Sequence, residues 1–209
     1  PAAGIFELRK LWQEKLYKSC SKLVNMSLPI VTSGITHGLS LVGDLFIDKK
    51  TPVVLPDMYW GNYRMMWAHK KNCSFHTYSL FDSELRAFNL SGFKNTLIEV
   101  GKKFGKVVVV LNFPHNPTGY TPLKSESIAI KKTLAEVADS GINVIVVCDD
   151  AYSGFVYEDE CDQSSFIEDL SEVSDNLLCV KVDGCTKEYF VWGFRVGFLT
   201  FAAKSLSKK

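Results

Sequence analysis

A nearly unbroken run of valine and leucine, Lys106–Phe113, constrains the fold of this chain more than any other stretch. A strand with one face in water alternates apolar and polar residues, whereas a run without alternation is typical of a parallel strand buried on both faces. Because helical patterns alternate with this and other β-prone runs, we predict an α/β fold with three layers, α/β/α, and a mostly parallel central sheet. The other runs are Pro29–Thr32, Val53–Leu55, Ser74–Tyr78, Val144–Cys148 and Leu177–Val182.

Apolar residues at helical spacing define the elements between the strands. They predict a helix over residues 5–20 and another that ends at Gly105, because glycine tolerates the left-handed conformation that follows a last helical turn. A further helix has Ile128 and Leu134 on its buried face. The stretch Tyr189–Phe201 alternates loosely and predicts one more strand.

Composition and charge narrow the classes of protein that fit the sequence. With 209 residues, 46% of them hydrophobic, the chain has enough apolar mass for a full core. A net charge of +1 gives no electrostatic reason to bind nucleic acid or an anionic membrane, and no apolar run is long enough to span a bilayer. The six cysteines form no Cys-x-x-Cys pair, and Cys148 and Cys179 stand inside apolar runs. This pattern predicts reduced thiols in a cytoplasmic protein rather than disulfides or a metal site.

Residues with chemically useful side chains follow the strands, at the edge where a parallel sheet binds ligands. The glycine turn and helix start at Gly34–Thr36 can hold a phosphate on free backbone N–H groups. Taken singly, each such stretch is also what an ordinary α/β protein contains, for example a plain turn or an aromatic residue that caps the core. Their convergence on one edge predicts a ligand site. The stretches are Gly34–Thr36, Trp60, Asn116, Asp149–Tyr152 and Lys187.

Lys187 and Arg195 indicate which ligand that site takes. A lysine held out of water keeps its amine neutral and can add to a carbonyl group. The planar guanidinium of an arginine between apolar neighbours suits a phosphate, although an edge-strand arginine paired with a carboxylate is the simpler reading. A small molecule that carries both an aldehyde and a phosphate satisfies the two residues together, and pyridoxal 5'-phosphate (PLP) is such a molecule.

Four motifs in this order resemble the fold type I PLP enzymes, specifically the class I/II aminotransferases. They are Asn116-Pro117-Thr118-Gly119, Asp149-x-Ala151-Tyr152, Lys187 and Gly193-x-Arg195-x-Gly197. The resemblance extends from the first helix to residue 201 and implies the large, PLP-binding domain of that fold. We therefore expect residues 1–209 to be a fragment of a longer protein that also has an N-terminal arm and a C-terminal small domain. The resemblance further implies amino acid and 2-oxo acid substrates and a homodimer of the full-length protein.

The same resemblance assigns roles to individual side chains. Lys187 is expected to bond to the cofactor's aldehyde and then to move a proton, and Asp149 is expected to face the pyridine nitrogen and keep it protonated. Asn116 and Tyr152 are expected to bind the 3′-oxygen of the ring. The residues expected to take part in catalysis are Lys187, Asp149 and Tyr152. Trp60 is expected to stack on the ring. The phosphate is assigned to Arg195, Thr36 and the backbone at Gly34 and Ile35.

Three further expectations concern neighbours of these residues. Gly184 stands three residues before the lysine, where the family usually has a phosphate-binding serine, and Thr186 is the residue that could replace it. Asp150 is expected to face solvent or to cap a helix. The peptide bond between Asn116 and Pro117 is expected to be cis, as it often is in the family.

Three functions are compatible with these residues. The first is amino transfer between an amino acid and a 2-oxo acid, and Trp60-x-Asn62 and His115-Asn116 favour the aspartate and aromatic subgroup. The second is a β-eliminating carbon–sulfur lyase on the same framework. The third is a non-catalytic PLP-binding regulatory module joined to a DNA-binding domain. The residues around the ring do not separate the first two, because both reactions need the same electron sink.

Overall fold

The fold is built on a single sheet whose strands follow the buried runs of the sequence. A computed structural model describes residues 2–19, 25–84 and 87–205, and in it seven strands form this sheet. The strands are β1 (Ile30–Thr32), β2 (Pro52–Pro56), β3 (Ser74–Tyr78), β4 (Lys106–Leu111), β5 (Asn143–Asp149), β6 (Leu177–Gly184) and β7 (Gly197–Ala202).

Helices cover the sheet and connect most of its strands. They are α1 (Phe6–Ser19), α2 (Ile35–Phe46), α3 (Leu90–Phe104), α4 (Lys124–Asp139), α5 (Ile167–Leu170) and α6 (Cys185–Glu188). A π-helical turn lies at Arg64–His69 and a 3₁₀ turn at Trp192–Phe194. α3 ends where the sequence predicts, because Gly105 adopts the left-handed conformation with φ of 70°.

The order of the strands is β1-β7-β6-β5-β4-β2-β3. β7 is antiparallel to both of its neighbours, while the remaining neighbouring pairs are parallel. The predicted three-layer α/β/α fold with a mostly parallel central sheet is therefore confirmed. The parallel strands end at a common edge, and this edge carries the candidate site.

Both faces of the central strands are buried, as the lack of alternation in the sequence requires. Val109 and Val146 belong to an apolar core that contains residues of α3 and α4. Val108 and Val147 belong to a second core on the opposite face, which contains residues of α2 and the π-helical turn. Alternate residues of one strand thus pack in two separate cores, so that a polar substitution at a buried position of β4 or β5 cannot reach water on either face.

Two of the predicted patterns differ from the structure. Ile128 is 66% exposed, although we placed it on the buried face of α4 together with Leu134. Six residues of a helix turn the chain by about 600°, so that the two side chains point in different directions, and Ile130 takes the buried position instead. The predicted strand Tyr189–Phe201 begins only at Gly197. The earlier residues form a loop that contains the 3₁₀ turn, because the chain has to reverse between α6 and the antiparallel β7.

Two further properties of the described residues bear on the sequence predictions: the length and polarity of the helices, and the state of the cysteines. Within the described part of the chain, none of the helices has both the length and the apolar character needed to cross a membrane. Cys148 and Cys179, which stand inside apolar runs of the sequence, are buried. Free thiols are present at Cys73, Cys148, Cys161, Cys179 and Cys185, and Cys20 lies outside the described residues.

Candidate active site

A cleft with a volume of about 270 Å³ opens where the parallel strands end. All of the predicted site residues except Gly34 line it, together with Ala151 of the predicted stretch Asp149–Tyr152 and with Asn112 and Trp192, which we did not predict. Because these residues come from the ends of several strands, the topology of the sheet brings together side chains that are far apart in sequence. The predicted residues that line the cleft are Ile35, Thr36, Trp60, Asn116, Asp149, Tyr152, Thr186, Lys187 and Arg195.

Asp149 forms the buried polar end of the cleft. It is the last residue of β5 and is 3% exposed, one carboxylate oxygen accepts a hydrogen bond from the Tyr63 hydroxyl, and the other accepts from the Ala151 N–H at 3.3 Å. Burial raises the pKa of Asp149 to about 6, and the hydrogen bond from Tyr63 acts in the opposite direction by favouring the ionised form. The carboxylate is therefore charged at neutral pH and held in one orientation.

Tyr63 is a functional candidate that the sequence analysis missed. It lies just beyond β2, is 1% exposed, and stacks on Trp67 with ring centroids 5.2 Å apart. Burial, followed by the charge of Asp149, raises the pKa of Tyr63 well above its usual value, so its hydroxyl stays protonated and donates. The only signal in the sequence was a tyrosine in an aromatic loop after a strand, and a buried phenol of that kind needs a polar partner.

Tyr63→Phe is expected to raise the pKa of Asp149 above about 6 in the ligand-free protein, because it removes a hydrogen bond that favours the carboxylate. NMR titration of labelled aspartate carboxyl groups measures this value. Tyr59→Phe is the matched control, because Tyr59 belongs to the same aromatic loop and its ring packs against Phe75. An Asp149 pKa that is unchanged or lowered in Tyr63→Phe would contradict the assignment.

Asn112 holds the loop that carries Asn116. It is 6% exposed, its side-chain amide donates to the carbonyl oxygen of Asp149 at 2.8 Å, and its amide oxygen accepts from the Asn116 N–H at 3.0 Å. The Asn116–Pro117 peptide bond is cis, as expected. Asn112 thus ties the loops after β4 and β5 together, and its signal in the sequence was an amide directly after a strand that is apolar from Val107 to Leu111.

Lys187 lies in α6, a single helical turn that begins directly after β6. Its amine is 5.3 Å from the centroid of the Tyr152 ring, and both residues are half-buried. The preceding residue, Thr186, is 8% exposed, and its hydroxyl has no hydrogen-bond partner among the described residues. A buried hydroxyl without a partner is costly, so this one marks a place where a ligand can supply the missing bond.

Arg195 lines the cleft from an unusual backbone position. It has φ of 50°, in the left-handed region, and its side chain is exposed. Its guanidinium lies against Gly34, where an added Cβ would stand only 2.8 Å from Nη2. Gly34 does not line the cleft but leaves room for this arginine beside the start of α2, whose first turn no side chain caps.

Asp150 contradicts the expectation that it faces solvent. It is 7% exposed, forms an ion pair with the Lys181 amine, and accepts a hydrogen bond from the Ser165 hydroxyl at 2.6 Å. Asp150 directly follows the last residue of β5, and its side chain does not line the cleft, whereas that of Asp149 does. No sequence pattern reveals this pair, because its partner comes from the neighbouring strand.

The family description "Aminotransferase class I and II" matches residues 1–208. The chain belongs to this family. A probable aspartate/prephenate aminotransferase from Aquifex aeolicus is 27% identical over 203 residues, which are 95% of this chain and 47% of that protein. An aminotransferase structure from Anaerococcus prevotii has a TM-score of 0.88 at 26% identity and covers 100% of this chain and 50% of its own.

Other relatives agree with this assignment. A probable aspartate aminotransferase from Methanocaldococcus jannaschii is 28% identical over 201 residues, which are 95% of this chain and 48% of that protein. A mitochondrial aspartate aminotransferase from Trypanosoma brucei has a TM-score of 0.79 at 22% identity, over 100% of this chain and 53% of its own, and supports the fold. The chain spans about half the length of the curated relatives it matches.

Proposed function

We propose that the full-length protein is a PLP-dependent aminotransferase of the aspartate type, acting on an amino acid and a 2-oxo acid. One observation carries this proposal: Asp149, at the end of β5, lines the same cleft as Lys187 and Arg195, which lie in the connection between β6 and β7. The amine of Lys187 suits an aldehyde, the carboxylate of Asp149 suits a protonated ring nitrogen, and the guanidinium of Arg195 suits a phosphate. The names of the relatives favour amino transfer over the lyase and the regulatory module.

The residues of the cleft fit PLP by three independent criteria. The Thr186 hydroxyl is buried without a partner within the described residues and is free to bind a phosphate oxygen. The absence of a side chain at Gly34 leaves space in which the Arg195 guanidinium lies beside the start of α2. The carboxylate of Asp149 is buried, oriented and charged at neutral pH. Together they supply both ends of the cofactor with partners.

Different residues of the cleft would bind different parts of the cofactor. Arg195, Thr186 and Thr36 would hold the phosphate, with the backbone at Ile35 and the turn at Gly34. Asn116 and Tyr152 would hold the 3′-oxygen, Trp60 the face of the ring, and Asp149 the ring nitrogen. When bound, the cofactor supplies a conjugated ring that accepts the electron pair left on the α-carbon of the substrate.

The chain's own residues then have defined tasks. The Lys187 amine takes the proton from the α-carbon of the substrate, for which it has to be neutral and within hydrogen-bond reach. Asp149 stays ionised because the Tyr63 hydroxyl donates to it, so that it can hold a proton at the ring nitrogen. Asn112 fixes Asn116 relative to β5 through its two hydrogen bonds.

We also propose that the full-length protein works as a cytoplasmic homodimer. A group of aromatic residues beside the cleft supports the dimer, because large apolar side chains exposed together are typical of an interface. They are Tyr189, Phe190, Trp192 and Phe194, which are 50%, 63%, 56% and 77% exposed. The free thiols support the reducing compartment.

Product analysis tests the proposed reaction. The full-length protein, saturated with PLP, is mixed with L-aspartate and 2-oxoglutarate, and separately with L-cysteine alone. We expect glutamate and oxaloacetate in equal amounts from the first mixture. Release of pyruvate, ammonia and hydrogen sulfide from L-cysteine, without glutamate from the first mixture, would establish the lyase instead. No reaction in either mixture by a protein that binds PLP would favour the regulatory module.

Gly184→Ser, which restores the usual serine of the family, is expected to destabilise the protein by about 1–3 kcal/mol. A Cβ at this position would stand 2.6 Å from the carbonyl oxygen of Val196 and 2.8 Å from the Cα of Gly197. Both are backbone atoms of the segment of the same chain that runs beside Gly184. Denaturant unfolding of the full-length protein measures the change. Gly61→Ser is the control, because a Cβ there meets nothing within 4 Å. Equal stability of both variants would contradict the tight approach of β6 and β7.

A further inference from the structure

The turn that carries Lys187 is held at both ends by α1. Before the lysine, the indole N–H of Trp12 donates to both carboxylate oxygens of Asp183, at 3.1 and 3.2 Å. After the lysine, the amine of Lys15 lies 2.6 Å from a carboxylate oxygen of Glu188. Trp12 and Lys15 are three residues apart and therefore lie on the same face of the helix.

The contacts of Lys15 distinguish it from an ordinary surface lysine. Its amine is 4.3 Å from the centroid of the Trp12 ring and 4.8 Å from that of the Tyr189 ring, both distances at which a cation is attracted to an aromatic face. The side chains of Lys15 and Glu188 are only 35% and 24% exposed. The ion pair is therefore less screened by water than most surface pairs.

Trp12 is fixed just as firmly. It is 7% exposed, and its ring stacks on Phe198 of β7 with centroids 4.0 Å apart and an interplanar angle of 12°. Asp183 is 3% exposed and also lies 3.7 Å from the Lys181 amine. The end of β6 before the lysine is thus joined to α1 and to the buried charges of the sheet.

The turn itself has little internal support. α6 contains four residues, Cys185–Glu188, and a single helical turn is not stable without external contacts. On its other side, the Glu188 side chain packs against Gly154, where a Cβ would stand 3.3 Å from Glu188 Cγ. The direction of the Lys187 side chain therefore depends on what holds Asp183 and Glu188.

We propose that α1 clamps the Lys187 turn, and that Lys15 and Glu188 are positioning residues that keep the Lys187 amine directed into the cleft. This inference rests on the proposed function, because it concerns the same lysine. Neither Lys15 nor Glu188 lines the cleft, so they act only through the backbone of α6. A misplacement of about 1 Å at a reacting group can lower a rate by about 10²-fold, which makes such a clamp consequential.

The test compares Lys15→Met, Glu188→Gln and the charge-swapped double variant Lys15→Glu with Glu188→Lys, all in the full-length protein. We expect each single variant to lower kcat at least about 10-fold with little change in KM, because substrate contacts are intact while the amine is displaced. The pH at which the visible absorption band of the lysine-bound cofactor changes should shift in the same variants. The double variant should recover part of both losses, since the opposite charges meet again.

A second readout does not depend on the cofactor. In the cofactor-free protein, amide hydrogen exchange over residues 183–189 should be faster in Lys15→Met than in the wild-type protein. Lys94→Met is the matched control, because Lys94 forms an ion pair of 2.8 Å with Glu136 on the exposed surface between α3 and α4. It should change neither the exchange of residues 183–189 nor kcat.

The outcomes separate this inference from the proposed function. If the wild-type protein transfers amino groups but the Lys15 and Glu188 variants match it in kcat, absorption and exchange, the clamp is wrong and the function stands. If the single variants lose activity but the double variant recovers nothing and exchange is unchanged, the ion pair is not the positioning contact. If the wild-type protein neither binds PLP at Lys187 nor transfers amino groups, the proposed function itself fails.

Discussion

Replacing Lys187 by alanine is expected to lower the rate of amino transfer by the full-length protein about 10²–10⁴-fold, the range that a positioned acid–base group contributes. Covalent attachment of the cofactor should be lost as well, because no other lysine lines the cleft in the described part of the chain. Initial rates with L-aspartate and 2-oxoglutarate, at saturating PLP, measure the loss.

Two controls make the Lys187 result specific. Lys187→Arg keeps the positive charge but replaces the amine that can add to a carbonyl, so it should lose as much activity as Lys187→Ala. Lys94→Ala removes a positive charge from an exposed ion pair and should leave the rate unchanged. If Lys187→Ala kept more than about one-tenth of the wild-type rate, the role of this lysine as the proton carrier would be wrong.

Lys181→Met is expected to destabilise the protein by about 3–5 kcal/mol, the cost of removing one partner from a buried ion pair. Lys181 is 3% exposed and forms ion pairs with Asp150, which is 7% exposed, and Asp183, which is 3% exposed. Burial alone would lower the pKa of Lys181, but the two carboxylates outweigh it and raise the pKa. The lysine is therefore charged at neutral pH, and its removal takes from two buried carboxyl groups the cation with which they form ion pairs.

Denaturant unfolding of the full-length protein measures the effect of Lys181→Met. The double variant Lys181→Met with Asp150→Asn should recover part of the lost stability, because it removes one of the uncompensated charges. Lys94→Met, at an exposed pair, should cost no more than about 1 kcal/mol. A loss of the same size in Lys181→Met and Lys94→Met would mean that the buried cluster is not a set of charged groups.

The buried carboxyl groups determine whether the stability of the folded protein rises or falls with pH. Burial raises the pKa values of Asp149 and Asp183 to about 6, above the 3.8 of a free aspartate. Between these values the folded protein binds more protons than the unfolded chain, so these two groups make stability fall as the pH rises from about 4 to 6. Burial lowers the pKa of His115 from 6.5 to about 4. Between these values the unfolded chain binds more protons at this residue than the folded protein does, so His115 makes stability rise with pH and offsets part of the effect of the two aspartates.

Much of the fold followed from the sequence because its strands are buried on both faces. An uninterrupted run such as Lys106–Leu111 has few alternatives, and a parallel sheet places the ends of its strands on one edge. The convergence of Asn116, Asp149 and Lys187 therefore needed only the order of strands and helices. Where the pattern was weak, as in Tyr189–Phe201, the need for a reversal between α6 and β7 decided the structure.

The contacts that the sequence did not predict are those between side chains from different elements. Tyr63 meets Asp149, and Lys181 meets Asp150, only after the sheet has formed. Their positions depend on the register of neighbouring strands, for example Cys148 opposite Lys181, which no local pattern encodes. The clamp on Lys187 is of the same kind, because Lys15 and Glu188 are separated by most of the chain.

The most direct test of the central claim is reduction of the PLP-saturated, full-length protein with borohydride, followed by digestion and peptide mapping. We predict a stable pyridoxyl group on Lys187, in the segment between Asp183 and Arg195. A label on any other lysine, or none on a protein that is saturated with PLP and dimeric, would contradict the claim that these strand ends form one cofactor site.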